Sequence, residues 1–219
     1  MALVLYHGHG SPYSWRVFLA LEHLGVPYEL KVLSFSDQDQ LKPEFVAINP
    51  RHQVPTITDG GFALWESTVI LEYLDERFGG EVPARRLYPG DIRARARARR
   101  IVREVEQYAA VEGIDPIVEE LFYTPEGAAP NAARIEKARG RLGEEFRTLE
   151  GELRGPFLCG DAPSAADFVL YPLLGYARRI TFRKPDSRLV ELVPPGLADW
   201  GGRIEALPFF DKTFPPHWR

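Results

Sequence analysis

The turn His9-Gly10-Ser11-Pro12-Tyr13-Ser14 constrains this chain more than any other stretch, because it joins the apolar run Ala2 to Tyr6 to the amphipathic run Trp15 to Leu24. Gly8 and Gly10 allow a tight bend, Pro12 suits the first turn of a helix, and Ser11 sits where orphan helix amides point outward. A hydroxyl at that point can stabilise an anion. Val17, Phe18, Ala20, Leu21 and Leu24 recur at the three-and-four spacing of one helix face, and Gly25 supplies the stop. Tyr28 to Leu33 then fits a second strand, parallel to the first because a helical crossover separates them.

Ser34 to Lys42 is polar and predicts a loop, after which Pro43, Phe45, Val46 and Ile48 fit one or two helical turns ending before Asn49-Pro50. Two short apolar runs follow, either side of Asp59-Gly60-Gly61, and predict a β-hairpin ending at Trp65. Glu66-Ser67 opens a helix whose buried stripe is read as Val69, Ile70, Leu71, Tyr73 and Leu74, closed by Phe78-Gly79-Gly80. This βαβ then ββα order suits a small mixed sheet with helices packed on it, an α+β thioredoxin-like arrangement.

Beyond the Pro- and Gly-rich stretch before Asp91 the pattern turns helical. The expected organisation is a thioredoxin-like domain over residues 1–80, a linker over 81–90, and an all-α helical domain over 91–219. Long helices are expected over Asp91 to Val111 and Asn131 to Leu153, and Ser164-Ala165-Ala166-Asp167 reads as a capping box before Phe168. Arg93, Arg95, Arg97, Arg99, Arg100 and Arg103 spread around several faces of the first of these helices. Without interleaved aromatics, in a chain of net charge -4, they favour a solvated or subunit-facing helix over a nucleic-acid partner.

The single cysteine, Cys159, excludes an intramolecular disulfide and any all-cysteine metal site, and it fits a reducing compartment. No metal is expected. No stretch approaches the roughly 18 apolar residues a membrane span needs, and no leader precedes Leu3, so the expected location is cytoplasmic.

Asn49-Pro50 through Gln53-Val54-Pro55, Glu66-Ser67 followed by Ile70 to Leu74, and Ser164 to Asp167 together resemble the cytosolic-type glutathione S-transferase family over nearly the whole chain. Leu5-Tyr6, Ser11 and Ser14-Trp15-Arg16-Val17 are most similar to its serine-type branch, particularly the zeta class. Pro12 and Tyr13 depart from that class, where serine and cysteine stand.

The resemblance implies a site for glutathione, a tripeptide with two carboxylates and one ammonium. Ser67, at a helix start, suits the γ-glutamyl carboxylate, and Glu66 the ammonium. Read alone, the pair is also an ordinary helix start with an acid in its first turn. The family pattern puts the residue before a cis-proline, here Val54, against the cysteine of glutathione. It also puts Gln40, His52 and Gln53 at the glycine end. Ser11 is the expected thiolate stabiliser. Tyr6 is a rival offset by one strand residue and so on the opposite face; Tyr13 and Ser14 remain open through reorientation of the turn.

Tyr13, Tyr108 and Val111, with Ile114, Phe122, Arg178, Arg179 and the tail Phe214 to Trp218, are candidates for an electrophile pocket expected between the domains. The family implies a homodimer, with Glu104 or Glu106 facing the partner's ligand. The expected activity is transfer of glutathione to a small hydrophobic electrophile. Glutathione-dependent cis-trans isomerisation of a maleylacetoacetate-like acid and a non-catalytic binding module are the alternatives.

Overall fold

The computed structural model describes residues 3–218. The chain divides between Pro89 and Gly90 into two units, and the segment from Leu207 onward belongs to the first.

The first unit is built on a four-stranded sheet of order β2-β1-β3-β4. Strand β1 (Val4–His7) leads into α1 (Pro12–Leu24), and β2 (Glu29–Val32) returns parallel to β1 with His7 opposite Val32. A short α2 (Pro43–Val46) precedes the antiparallel hairpin of β3 (Thr56–Asp59) and β4 (Phe62–Trp65), and α3 (Ser67–Phe78) follows. β3 runs antiparallel to β1, with Tyr6 opposite Thr56, and Thr56 is in turn opposite Trp65. Side chains alternate across the sheet. Tyr6 meets Phe45 of α2 with ring centroids 5.7 Å apart, whereas His7 meets Phe18 of α1 at 5.1 Å.

The α3 stripe is narrower than its apolar residues suggest. Ile70, Leu71 and Leu74 are fully buried, but Val69 is 48% exposed and Tyr73 reaches out to donate to Asp59 Oδ2 at 2.8 Å. Leu74 lies four residues from Ile70 and three from Leu71, so these three share one face, whereas Val69 and Tyr73, four apart, lie on its outer side.

The end of the segment read as a linker is packed against α3. Leu87 and Tyr88 are buried, and the buried Asp75 carboxylate of α3 accepts their N–H groups at 2.7 and 3.2 Å while pairing with Arg86. The tail also departs from the expected 91–219 domain. In α9 (Phe210–Thr213), Thr213 Oγ1 accepts the indole N–H of the buried Trp15 at 3.0 Å, and Phe210, Phe214 and Trp218 surround the same ring. A large aromatic on the outer face of α1 needs this cover to leave water.

The second unit is all helical. Asp91 caps α4 (Ile92–Glu104) by accepting the N–H groups of Arg93 and Ala94, both at 2.9 Å. A π-helical stretch, Val105–Ile114, then runs without a break into α5 (Asp115–Phe122). The helix expected to end at Val111 therefore continues, and Pro116 lies just past the junction of its π-helical and α-helical parts. α6 (Ala132–Glu150), α7 (Ala165–Arg183) and α8 (Pro195–Glu205) complete the unit.

The Ser164 box forms as read, and its acid does more than cap. Asp167, fully buried, accepts from the N–H and hydroxyl of Ser164, from Leu158 N–H at 2.9 Å and from Trp200 Nε1 at 2.8 Å. Of the α4 arginines, Arg97 and Arg100 pair within the unit: Arg97 donates to Leu158 O and pairs with Glu152, and Arg100 bridges Glu152 and Glu104, while Arg93, Arg99 and Arg103 are exposed. Among the described residues no helix is long and apolar enough to cross a membrane.

Candidate functional site

Four features of the first unit converge on one end of its sheet. The C-terminal end of β1 leads into the Ser11 turn, and β2 ends beside it. The register then brings the N-terminal end of β3, with Val54-Pro55, and the C-terminal end of β4, with Glu66-Ser67, to that same end. Gly8 shows how tight the approach is: a Cβ there would lie 2.5 Å from the Phe35 ring and 2.9 Å from Val54 Cγ2. Gly10 holds φ at +86°, in the left-handed region, and a Cβ on it would lie 2.9 Å from Nε2 of His217.

Within the turn the three candidate side chains have different states. Ser11 is the N-cap of α1, its Oγ accepting the Ser14 N–H at 3.2 Å, and it is partly exposed. A serine hydroxyl has one proton to give, so an oxygen that is already accepting keeps that proton for something else. Ser14 is fully buried instead. Its Oγ accepts the Gly8 N–H at 3.3 Å and lies 2.8 Å from Nδ1 of His7. Burial, reinforced by His9, pulls the His7 imidazole down to about 3, so the ring is neutral. Burial, with His217 beside it, also lowers His9. Tyr13 lies with its ring centroid 4.6 Å from the Arg16 guanidinium carbon.

At the facing edge the Val54-Pro55 peptide is cis. Asn49, fully buried, braces this segment, donating to Gln53 O at 2.8 Å and to Thr56 Oγ1 at 2.9 Å. Glu66 is exposed and sits at φ 69°, ψ 106°, at the cap of α3, and His52 at φ 57°. Positive φ in non-glycine residues costs on the order of 1–3 kcal/mol and clusters at functional sites. His52 and Glu66, unlike the other two positive-φ residues Gln38 and Arg188, are ones the resemblance assigns to glutathione. Ser67, the first residue of α3, is buried, and its Oγ accepts from Arg16 Nη1 at 3.1 Å.

The remaining candidates are more scattered. Gln40 is half-buried and its Oε1 has no hydrogen-bond partner among the described residues; Gln53 offers an exposed side chain and a carbonyl already held by Asn49 and Thr56. Tyr6 faces α2, as its strand offset predicts, with Lys31 Nζ 5.4 Å from its ring centroid. In the second unit Tyr108 carries the Arg141 guanidinium at 4.4 Å, and Val111 is 55% exposed. Ile114 is fully buried and is core rather than ligand surface. Phe122 is covered by Arg183 at 4.7 Å, and Arg178 is paired with Glu205. Sequence reasoning missed His7, Arg16 and Asn49. A histidine ending an apolar strand and an arginine amid an apolar helix were the available signals.

Family models described as "Glutathione S-transferase, N-terminal domain" and "Glutathione S-transferase, C-terminal domain" match residues 10–77 and 132–200. Glutathione S-transferase 3 of Zea mays is 31% identical over 215 residues, covering 96% of this chain and 92% of that relative. Glutathione S-transferase D7 of Anopheles gambiae is 46% identical over 96 residues, an alignment that takes in 44% of this chain and 43% of that relative. A crystal structure of a glutathione S-transferase from the Antarctic clam Laternula elliptica superposes with a TM-score of 0.80 at 26% identity, covering 100% of this chain and 94% of that one. Two matched domains, 31% identity over nearly the full length of a named relative and a shared architecture lead to one conclusion: the chain belongs to the glutathione S-transferase family.

Proposed function

We propose that this glutathione transferase holds the thiolate of glutathione with the Ser11 hydroxyl and directs it at a small hydrophobic electrophile. The observation that carries the assignment is the polarity of the turn: Ser11 Oγ accepts from Ser14 N–H, which leaves the Ser11 proton for the sulfur. A free thiol with a pKa of about 8.5 is only a few per cent ionised at neutral pH. One hydrogen bond to a charged acceptor contributes about 1.5–3 kcal/mol, enough to lower that pKa by roughly 1–2 units and raise the thiolate to a substantial fraction. Positioning the electrophile beside the sulfur supplies the rest.

In the same reading Glu66 takes the ammonium of glutathione and Ser67 its γ-glutamyl carboxylate, favoured by the N-terminus of α3. The backbone of Val54 pairs with the cysteine, and Gln40, His52 and Gln53 hold the glycine end. Tyr13, Tyr108 and Val111 are assigned to the electrophile. The protein acts as a cytoplasmic homodimer. The exposed Val69 and Phe62 leave apolar surface of the kind subunit contacts use, and the half-buried Cys159 suits a reducing compartment.

The test is Ser11→Ala, read by conjugation of an activated aryl halide and by ultraviolet titration of the bound thiol. The expected result is a fall in kcat/KM near neutral pH of roughly 10–100-fold and a rise in bound-thiol pKa of about 1–2 units. An unchanged thiol pKa overturns the assignment of Ser11.

A further inference from the structure

Arg16 sits in an unusual place for an arginine. It lies within the buried part of α1, between Trp15 and Val17, and is 0% exposed. From there its Nη1 donates to Ser67 Oγ of α3 at 3.1 Å, and its guanidinium carbon lies 4.6 Å from the centroid of the Tyr13 ring. One side chain thus touches both the turn that carries Ser11 and the helix start that carries Ser67.

The chemistry of the contact fixes its direction. A guanidinium has five donors and no acceptor, so toward Ser67 it can only donate. Ser67 Oγ must accept, and its own proton is left for a carboxylate. A neutral partner such as an amide or a second hydroxyl would let Ser67 turn its proton inward, and the outward donor would be lost part of the time. The same group lies over the Tyr13 ring in a cation–π contact, and a guanidinium can hold that contact and the bond to Ser67 together in a way a compact ammonium cannot.

We infer that Arg16 is a positioning residue for the γ-glutamyl end of glutathione: it sets Ser67 as an outward donor and keeps the Tyr13 side of the first turn in register with α3. Being fully buried, it acts without touching the ligand. This inference rests on the proposed role of Ser67 in binding the γ-glutamyl carboxylate.

The experiment compares calorimetric affinities for glutathione and for cysteinylglycine, which lacks the γ-glutamyl group, in the wild type, Ser67→Ala, Arg16→Gln, Arg16→Lys and Arg16→Gln/Ser67→Ala. The quantity read is the ratio of the two affinities, since a loss of fold or of general packing weakens both peptides alike. Ser67→Ala and Arg16→Gln are each expected to lower that ratio roughly 10-fold, and the double variant is expected to fall well short of the roughly 100-fold that independent losses would give. Arg16→Lys keeps a buried charge and a donor, and so keeps the fold, but loses the planar fork; its ratio is expected to fall about threefold. A ratio unchanged in Arg16→Lys or Arg16→Gln, or losses that multiply in the double variant, overturns the inference while leaving Ser67 in place. A ratio unchanged in Ser67→Ala overturns the γ-glutamyl assignment itself and the inference with it.

Discussion

The hydroxyl of Ser14 lies 2.8 Å from Nδ1 of His7 and takes the Gly8 N–H at 3.3 Å, so the second serine of the first turn is consumed by the scaffold. Ser14→Ala leaves a buried imidazole nitrogen and a buried amide without their partner, at a cost of about 2–4 kcal/mol. The Ser14 N–H that polarises Ser11 survives the substitution. Urea denaturation should therefore report a large loss of stability, while the pH midpoint of kcat/KM stays where it is in the wild type.

Acid should weaken the first unit through two buried histidines. Burial lowers His7 to about 3, and burial with the nearby Arg85 lowers His23 to about 4. Both are bases whose folded pKa lies below the unfolded value of about 6.5, so the unfolded chain binds more protons and stability falls as pH drops below about 6.5, by roughly 1.4 kcal/mol per unit for each group. Between about pH 7 and pH 5 the expected loss approaches 3–4 kcal/mol. Denaturation at the two pH values measures it, and His23→Gln should remove about half of the difference.

Asp75 ties the segment before the helical unit to α3, with Leu87 N–H, Tyr88 N–H and Arg86 all directed at its carboxylate. Asp75→Ala strands two buried amides and the charge of Arg86, which predicts a loss of about 3–5 kcal/mol. Limited proteolysis should then cut within residues 81–89, where the wild type resists.

Thr213→Val keeps the shape of the tail contact but removes the acceptor for Trp15 Nε1. Leaving a buried indole N–H unsatisfied costs about 1–3 kcal/mol. The melting temperature should fall accordingly, and tryptophan fluorescence should report a changed environment for Trp15.

What was legible in the sequence was periodic or punctuated. The turn from β1 into α1, the parallel return of β2, the hairpin through Gly60 and Gly61 and the Ser164 cap all follow local rules, and the structure contains them. The position of Tyr6 followed from its one-residue offset against the family pattern together with strand alternation. What stayed illegible depends on partners distant in sequence. Val69 is as apolar as Ile70, and only the packing of α3 decides which is covered. Asp75 looks like an ordinary surface charge until the 81–89 segment is brought to it, and nothing local in the sequence pairs Arg16 with Ser67. The continuation past Val111 was hidden because a π-helical stretch places side chains at a five-residue step; Gln107 and Glu112, five apart, meet at 3.0 Å.

The bond from Trp15 to Thr213 also orders events in time. Chains emerge from the ribosome from the N-terminus at about 5–20 residues per second, so the acceptor for the Trp15 indole is made about 10–40 s after the indole itself. Every residue of the helical unit, Gly90–Ala206, is synthesised within that interval. The first unit therefore waits for the whole helical unit to be made before Trp15 is covered, and until Phe210 to Trp218 arrive the nascent protein shows its surroundings the bare face of α1.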